Sequence, residues 1–344
     1  MTDSHPSRSR RDVVVVGASA GGVEALKALA ASLPPDLPAT VIVVLHVPSY
    51  GRSVLPAILG RAGPLPARHV TDSAELVAGE ILVAPPDHHL VVLDSEVRAT
   101  RGPRENGHRP AIDVLFRSAA RALAHRVVGV ELSGVLDDGA AGMWAIRNRG
   151  GLVVVQDPAD CLYPEMPQNV MATVAPDHVV PASRVGALLD RLCREEFPTP
   201  TPAPLSELIR TETDLALLEE GAMNTDERPG SPAGFSCPDC GGTLFEIDEG
   251  GVSRYRCRVG HAWTTKGLLG EQSVQLDTAL WVALRTLEEK VALATQLSER
   301  AAMGGSPLTA ARFRSQAADA RQAADQVRGL IESRPSTEVE LIDE

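Results

Sequence analysis

The chain has 344 residues, 44% hydrophobic and 23% charged, a globular balance with length for two domains or for one domain with appendages. No window approaches the roughly 18 uninterrupted apolar residues of a membrane span, and the polar start 1–11 lacks an export signal's apolar core, so membrane insertion is not expected and the cytoplasm is. The net charge of −12 is uneven: residues 1–196 hold 19 Lys and Arg against 22 Asp and Glu, residues 197–344 hold 14 against 23, and neither part carries a basic footprint for nucleic acid.

After a flexible start at 1–11, short β-branched runs alternate with Ala- and Leu-rich stretches as far as Glu196. Strands are predicted at Val13–Gly17, Thr40–His46, Ile81–Ala84, Leu90–Leu93, Val127–Leu132 and Leu152–Gln156. Helices are predicted at Gly22–Ser32, Ser53–Arg61, Pro110–Ala124, Asp138–Asn148 and Ser183–Glu195. This alternation predicts an α/β domain over 12–196, a doubly wound, mainly parallel sheet with helices on both faces. Leu90–Leu93 follows Ile81–Ala84 across Pro85-Pro86-Asp87 and reads as a hairpin, one antiparallel excursion in that sheet.

The composition then changes. Pro198–Pro204 alternates proline with Thr and Ala, a stiff extended start to a linker at 197–234 that also holds a short helix, Ser206–Glu220, and a polar break, Asn224–Gly234. A small Cys/His segment is placed at 235–268. Helical stretches at Ser273–Ala302 and Pro307–Ser333 carry apolar residues at three and four spacing, among them Leu276, Leu280, Leu284, Leu287 and Val291. They predict a helical hairpin over 269–333, suited to homodimerisation or to docking a partner. The tail 334–344 is expected to be disordered.

The first strand stops at Gly17-Ala18-Ser19-Ala20-Gly21-Gly22, and a helix begins at once behind it. Such a turn holds either a cofactor phosphate or a nucleophile. A dinucleotide site needs G-x-G-x-x-G and an acid ending the second strand, yet Ser19 takes the middle glycine's place and His46 ends that strand. A P-loop needs Gly-Lys-Ser/Thr, and Val23-Glu24 follow Gly22. The nucleophile reading fits better. Parallel strands would bring Ser19, His46 and the Asp137-Asp138-Gly139 turn to one carboxyl edge, where ligands gather in open α/β sheets. Serine, imidazole and carboxylate there can share the roles of a hydrolytic triad. Taken singly, each has a plainer role: Ser19 a helix cap, His46 a hydrogen-bonded strand end, Asp138 the cap of the helix behind it.

Several separated motifs now carry a resemblance. They are Gly17–Gly22, Leu45-His46-Val47-Pro48, Ala84–Leu90, Arg109–Phe116, Asp138–Met143 and Tyr163-Pro164-Glu165-Met166-Pro167. In this order, over about 12–196, the chain resembles the chemotaxis protein-glutamate methylesterases, the CheB catalytic domain. The resemblance implies a triad of Ser19, His46 and Asp138, glutamate methyl esters on chemoreceptor helices as substrate, and deamidation of glutamines by the same acyl-enzyme chemistry. It also implies a chemosensory setting, in which the helical hairpin is the expected docking element for sensor or methyltransferase proteins. Ala20, Gly21, Val135 and Met166 are the expected oxyanion or pocket residues; Arg109 and Met166 read as rim residues or, equally, as a helix-entry charge and loop packing. Departures are Ala20 where the family often has Thr, and Val135-Leu136 within the family's Gly-Met-Gly. Only residues 1–11 precede the domain, so the family's receiver domain and its gating are not expected. The competing reading is a non-catalytic signalling adaptor that binds receptors or partners through the Cys/His segment and helices.

Five cysteines make an odd count, and three cluster. Cys237, Cys240, Cys257 and His261 follow C-x₂-C-x₁₆-C-x₃-H, two knuckles matching the ligand preference of tetrahedral zinc. Four protein ligands leave no position open for substrate, so a structural zinc is expected, whose loss would unfold the segment and spare the esterase chemistry; no cofactor is expected for catalysis. Cys161 and Cys193 read as ordinary semi-buried residues.

Overall fold

The computed structural model describes residues 8–51, 53–219, 230–249 and 251–333. Most of the expected flexible start, residues 224–229 of the polar break and the expected disordered tail lie outside these. The chain divides into two compact units, 1–268 and 269–344.

The first unit is built on a seven-stranded sheet in the order His178–Val180, Leu152–Gln156, Val127–Glu131, Val13–Ala18, Thr40–Leu45, Ile81–Val83, Ala67–His69, parallel throughout. Its central strands are near-continuous Val and Ile runs because both faces are covered. The helices are α1 (Gly22–Ser32), α2 (Leu55–Ala62), α3 (Ile112–Leu123), α4 (Ala140–Asn148), α5 (Glu165–Thr173) and α6 (Ala182–Arg194). Alternation sorts the two cores. Val13 and Val15 face α3, α4 and α5, whereas Val14 and Val16 face α1, α2 and α6.

The expected excursion is corrected. Ile81–Val83 stays parallel within the sheet, and His89–Val92 pairs antiparallel with Glu96–Thr100 in a separate three-stranded sheet completed by Ser73–Glu75. A three-residue strand such as Ala67–His69 is too short to show a period, which is why the sequence does not reveal it.

Past the Pro-rich stretch, Ser206 caps α7 (Glu207–Leu217), its hydroxyl accepting from Ile209 N at 3.2 Å. The Cys/His segment is an antiparallel ribbon of Ser231–Ser236, Thr243–Glu249, Val252–Cys257 and Ala262–Thr264. It packs within the first unit through a buried ion cluster. Arg117 of α3 meets Glu105 at 2.5 Å and Glu212 of α7 at 3.0 Å. From the ribbon, Arg254 reaches Glu212 at 2.8 Å, and Arg256 reaches Glu105 at 2.9 Å and Glu212 at 2.8 Å.

The second unit comprises α8 (Thr265–Met303) from Leu269 onward and α9 (Pro307–Ser333). Small residues let the two helices approach: Ala310, Ala317, Ala320 and Ala324 are buried, and Ser298 donates to the Ala310 carbonyl at 2.9 Å. Leu276, Trp281, Val282 and Leu293 remain exposed. Among the described residues, no helix is long and apolar enough to cross a membrane.

Candidate active site

Register brings the two predicted partners side by side. Ala18 pairs with Leu45 at the carboxyl end of the central strands, so Ser19 and His46 are each the next residue out. The turn is fixed from beneath. Ser19 N donates to the Ser133 carbonyl at 3.0 Å, and Gly22 N to the Ser19 carbonyl at 2.8 Å. Gly21 takes a left-handed φ of 69°, and a side chain there would strike Leu162 and Ser133.

The third partner arrives from the loop after Val127–Glu131. His46 Nε2–H donates to Asp138 Oδ2 at 2.8 Å, which leaves Nδ1, 3.1 Å from Ser19 Oγ, to accept the hydroxyl proton. The ring thus presents its nitrogens in the reverse sense to the serine proteases, and the proton path from hydroxyl to imidazole is the same. Side-chain exposure is 6% for His46 and 3% for Asp138, so little solvent screens the pair.

Asp138 does not cap the helix behind it; Gly139 holds that position with no side-chain bond. Its carboxylate sits instead at the N-terminus of α3, accepting from Ile112 N at 2.7 Å and Asp113 N at 3.2 Å, and also from Gly139 N at 3.1 Å. Free amides and the helix dipole both favour an anion there. Gly17 makes the approach feasible, because a Cβ on it would lie 2.4 Å from Ile112 at the start of α3. Burial pushes the carboxyl's pKa up. Hydrogen bonds from His46 and the Ile112 amide outweigh that, and the pKa stays below the ordinary aspartate value.

Two residues that the sequence reading missed complete the site. His108 stacks on His46 with ring centroids 3.8 Å apart and planes within 10°. Burial, and secondarily the neighbouring His46, lower its pKa to about 3, so the stacking ring is neutral. Asn106 Nδ2 lies 3.5 Å from Asp138 Oδ1. The signal available was the polar run Glu105-Asn106-Gly107-His108 just ahead of an apolar helix.

The expected pocket residues separate. Ala20 and Gly21 stand at the turn, and among the described residues no acceptor meets their amides, whereas Ser19 N and Gly22 N are already engaged. Val135 is exposed on the adjoining loop. Met166 is a correction: it is fully buried beneath Gly134, because the close approach of Gly134 leaves its sulfur that space, and it lines no rim. Arg109 is likewise turned to structure, donating to Asp87 at 2.9 and 2.6 Å and to the Gly102 carbonyl at 2.9 Å. Leu136 carries a φ of 64°, a left-handed conformation costing a branched residue about 1–2 kcal/mol. Beside His46, Leu45, Val47, Pro48, Tyr50, Val54 and Pro86 line an apolar groove of 260 Å³.

The candidate metal ligands also converge. The ligand atoms of Cys237, Cys240, Cys257 and His261 lie within 4.8 Å of one another. Cys240 and Cys257 sulfurs are 3.6 Å apart, and His261 Nδ1 is 3.8 Å from Cys237 Sγ and 3.6 Å from Cys257 Sγ. Tetrahedral zinc with thiolate bonds of about 2.3 Å requires edges near 3.8 Å, so the donor set fits. Cys161 is half-buried and Cys193 buried; burial, first among the causes, raises each thiol to about 12, leaving both as unreactive thiols.

Comparison with known proteins points to one family. The CheB methylesterase family model matches residues 14–189. The chain is 38% identical over 188 residues to protein-glutamate methylesterase/protein-glutamine glutaminase 2 of Pseudomonas aeruginosa, a match covering 54% of each protein. A putative protein-glutamate methylesterase/protein-glutamine glutaminase of Leptospira interrogans is 32% identical over 182 residues, 53% of this chain and 94% of that relative. The crystal structure of the Thermotoga maritima CheB methylesterase catalytic domain superposes with a TM-score of 0.51 at 29% identity, covering 54% of this chain and all of the other. The chain spans about half the length of most of the curated relatives it matches. The chain belongs to the CheB methylesterase family.

Proposed function

We propose that this protein is a serine hydrolase that demethylates glutamate γ-methyl esters on chemoreceptor helices and deamidates glutamines at equivalent positions. The observation that carries the reading is the Ser19–His46–Asp138 relay, 3.1 and 2.8 Å long, with a carboxylate kept ionised by α3. His46 Nδ1 takes the hydroxyl proton as Ser19 Oγ attacks the γ-carbonyl. Asp138 holds the ring's tautomer and stabilises the imidazolium. The Ala20 and Gly21 amides, with the Val135 loop beside them, receive the oxyanion. Collapse of the intermediate passes the proton to the leaving methoxide, and methanol departs. Water, deprotonated by His46, then cleaves the acyl-serine to free glutamate. The apolar groove beside His46 suits one face of a substrate helix.

Cys237, Cys240, Cys257 and His261 would hold a structural zinc, which supplies folding free energy to the ribbon and no open coordination position. The exposed Leu276, Trp281, Val282 and Leu293 support self-association or partner docking by the helical hairpin, and the chain's setting is cytoplasmic. Light scattering on the full chain and on one ending at Leu268 reads the first point.

The test is methanol release from methylated receptor membranes together with labelling by a fluorophosphonate. Wild type is expected to release methanol and to label at Ser19, and Ser19→Ala to do neither. Release that persists in Ser19→Ala removes the relay. A wild type that neither labels nor releases methanol leaves the adaptor reading.

A further inference from the structure

We infer that the Cys/His ribbon is a positioning element of the hydrolytic site, acting on the triad through Thr264 and Asn106; this rests on the hydrolase reading above. The ribbon's last strand, Ala262–Thr264, begins immediately after His261. It runs beside the loop that carries His108. Ala262 N donates to the Arg104 carbonyl at 3.2 Å, and Asn106 N donates to the Ala262 carbonyl at 2.8 Å. Thr264 N donates to Asn106 Oδ1 at 2.7 Å, which orients that amide so that Nδ2 faces Asp138 Oδ1. The Thr264 hydroxyl, held also by Gly267 N at 3.0 Å, donates to Asp137 Oδ1 at 2.6 Å. Two neighbouring aspartates, one of them in the relay, are therefore tied to one ribbon threonine.

The same loop is anchored at Glu105, which the ribbon's Arg256 and the Arg117 of α3 both hold. The ribbon thus holds the Asn106 amide directly, and through Glu105 it is linked to the loop of the stacking His108 and to Arg117 of the helix whose N-terminus binds Asp138. On this inference, loss of the ion disturbs the esterase chemistry, where the sequence reading expects that chemistry to be spared. A four-ligand ion would fix the Cys257–His261 turn from which the strand departs.

The experiment uses the full, zinc-loaded chain and three variants: Thr264→Val, which removes the hydroxyl at constant shape, Thr264→Ser, which returns it, and Asn106→Ala. The readouts are the rate of fluorophosphonate acylation at Ser19, kcat and KM on a small ester, and the His46 ring ¹⁵N resonances. Thr264→Val and Asn106→Ala are expected to lower acylation and kcat about tenfold, as for one lost net hydrogen bond at a site sensitive to placement, with KM unchanged. The His46 resonances are expected to shift, and Thr264→Ser to recover most of the rate. Asn106→Ala keeps its backbone bonds to the ribbon and decides the matter where Thr264→Val does not fold. Folded, zinc-loaded variants that react at the wild-type rate with unmoved His46 resonances overturn the inference. A wild type that is never acylated removes the hydrolase reading instead, and the His46 resonances then judge the positioning alone.

Discussion

Two clusters of buried charge meet along α3, where Arg117 stands 3.8 Å from Asp113, and they solve the same problem in opposite ways. At the sheet edge, Asp113, Glu131 and Asp138 crowd together without a full complement of cations. Burial, reinforced by Asp138, raises Asp113 to about 8 and Glu131 well above the ordinary glutamate value, so both hold protons. At the ribbon interface, Glu105 and Glu212 are as deeply buried but lie among Arg117, Arg254 and Arg256, which overcome the cost of burial and hold both carboxyls below their usual range. One pocket meets the desolvation cost by protonation, the other by pairing. On the hydrolase reading proposed above, only Asp138 has to remain an anion at the sheet edge, and neutral neighbours let it keep its charge beside His46.

The sharpest way to break that contrast is to neutralise the one carboxylate the sheet edge keeps ionised. Asp138→Asn is expected to lower kcat by about 10⁴-fold, because the amide no longer accepts from Nε2–H and the ring adopts the wrong tautomer. Near-UV circular dichroism should show an intact fold, since the Asn oxygen, placed where Oδ1 stands, still accepts from Asp113 N and Gly139 N. A loss below about tenfold would mean that the carboxylate serves α3 rather than His46.

On the other side, Glu212→Gln leaves three buried arginines with one fewer counter-charge and is expected to cost about 3–5 kcal/mol in urea unfolding. Ile42→Val, in the middle of the sheet core, is expected to cost only about 0.5–1.5 kcal/mol. The sheet distributes its stability over many apolar contacts, whereas the ribbon interface concentrates it in five charged side chains. A Glu212→Gln cost below that of Ile42→Val would dismiss the cluster as a clamp.

This contrast also explains what was legible beforehand. Val13–Val16 and Val41–Val44 announce buried parallel strands because burial on both faces demands unbroken apolar runs, and Ser19, His46 and Asp138 follow because parallel register carries strand ends to one edge. The cysteine spacing exposes the cluster of four candidate ligands in the same local way. Nothing local marks Arg117, Glu212 or Arg256 as buried, since charges on a helix or ribbon read as a solvated face until a third element covers them. His108 and Asn106 were hidden for the same reason: their roles depend on contacts with residues distant in the chain, His46 and Thr264. For Met166 the two readings, rim and loop packing, look alike in the sequence, because only the approach of Gly134 decides that its side chain is buried.

Between the two pockets, His108 offers a pH test. Its pKa is near 6.5 in the unfolded chain and about 3 in the folded one, so between these values only the unfolded state takes up the proton. Its contribution to stability is therefore lost as pH falls below 6.5, by about 1.4 kcal/mol per pH unit. His108→Phe keeps an aromatic face for His46 and cannot take up a proton. The stability of wild type relative to this variant is expected to decline by that slope from pH 6.5 to 4.5, and a pH-independent difference would place a charged imidazole beside His46.

The smallest effect makes the finest comparison. Glu131→Gln repeats the Glu212→Gln change at equal burial, yet it replaces a protonated carboxyl with a neutral side chain of nearly the same shape. Near pH 4.5 the cost is expected to stay within about 1 kcal/mol, because neither oxygen of Glu131 has a partner to lose. The signs then diverge. Glu131 keeps its proton when folded and releases it above about pH 4.5 when unfolded, so wild type loses stability as pH rises and the Gln variant gains on it. Glu212, with a folded value of about 2, contributes stability that is present above about pH 4.5 and fades as pH falls toward 2, so its Gln variant closes on wild type in acid. Urea midpoints of both variants across pH 3 to 8 should therefore slope in opposite directions against wild type, and parallel slopes would show that Glu131 is ionised in the folded protein.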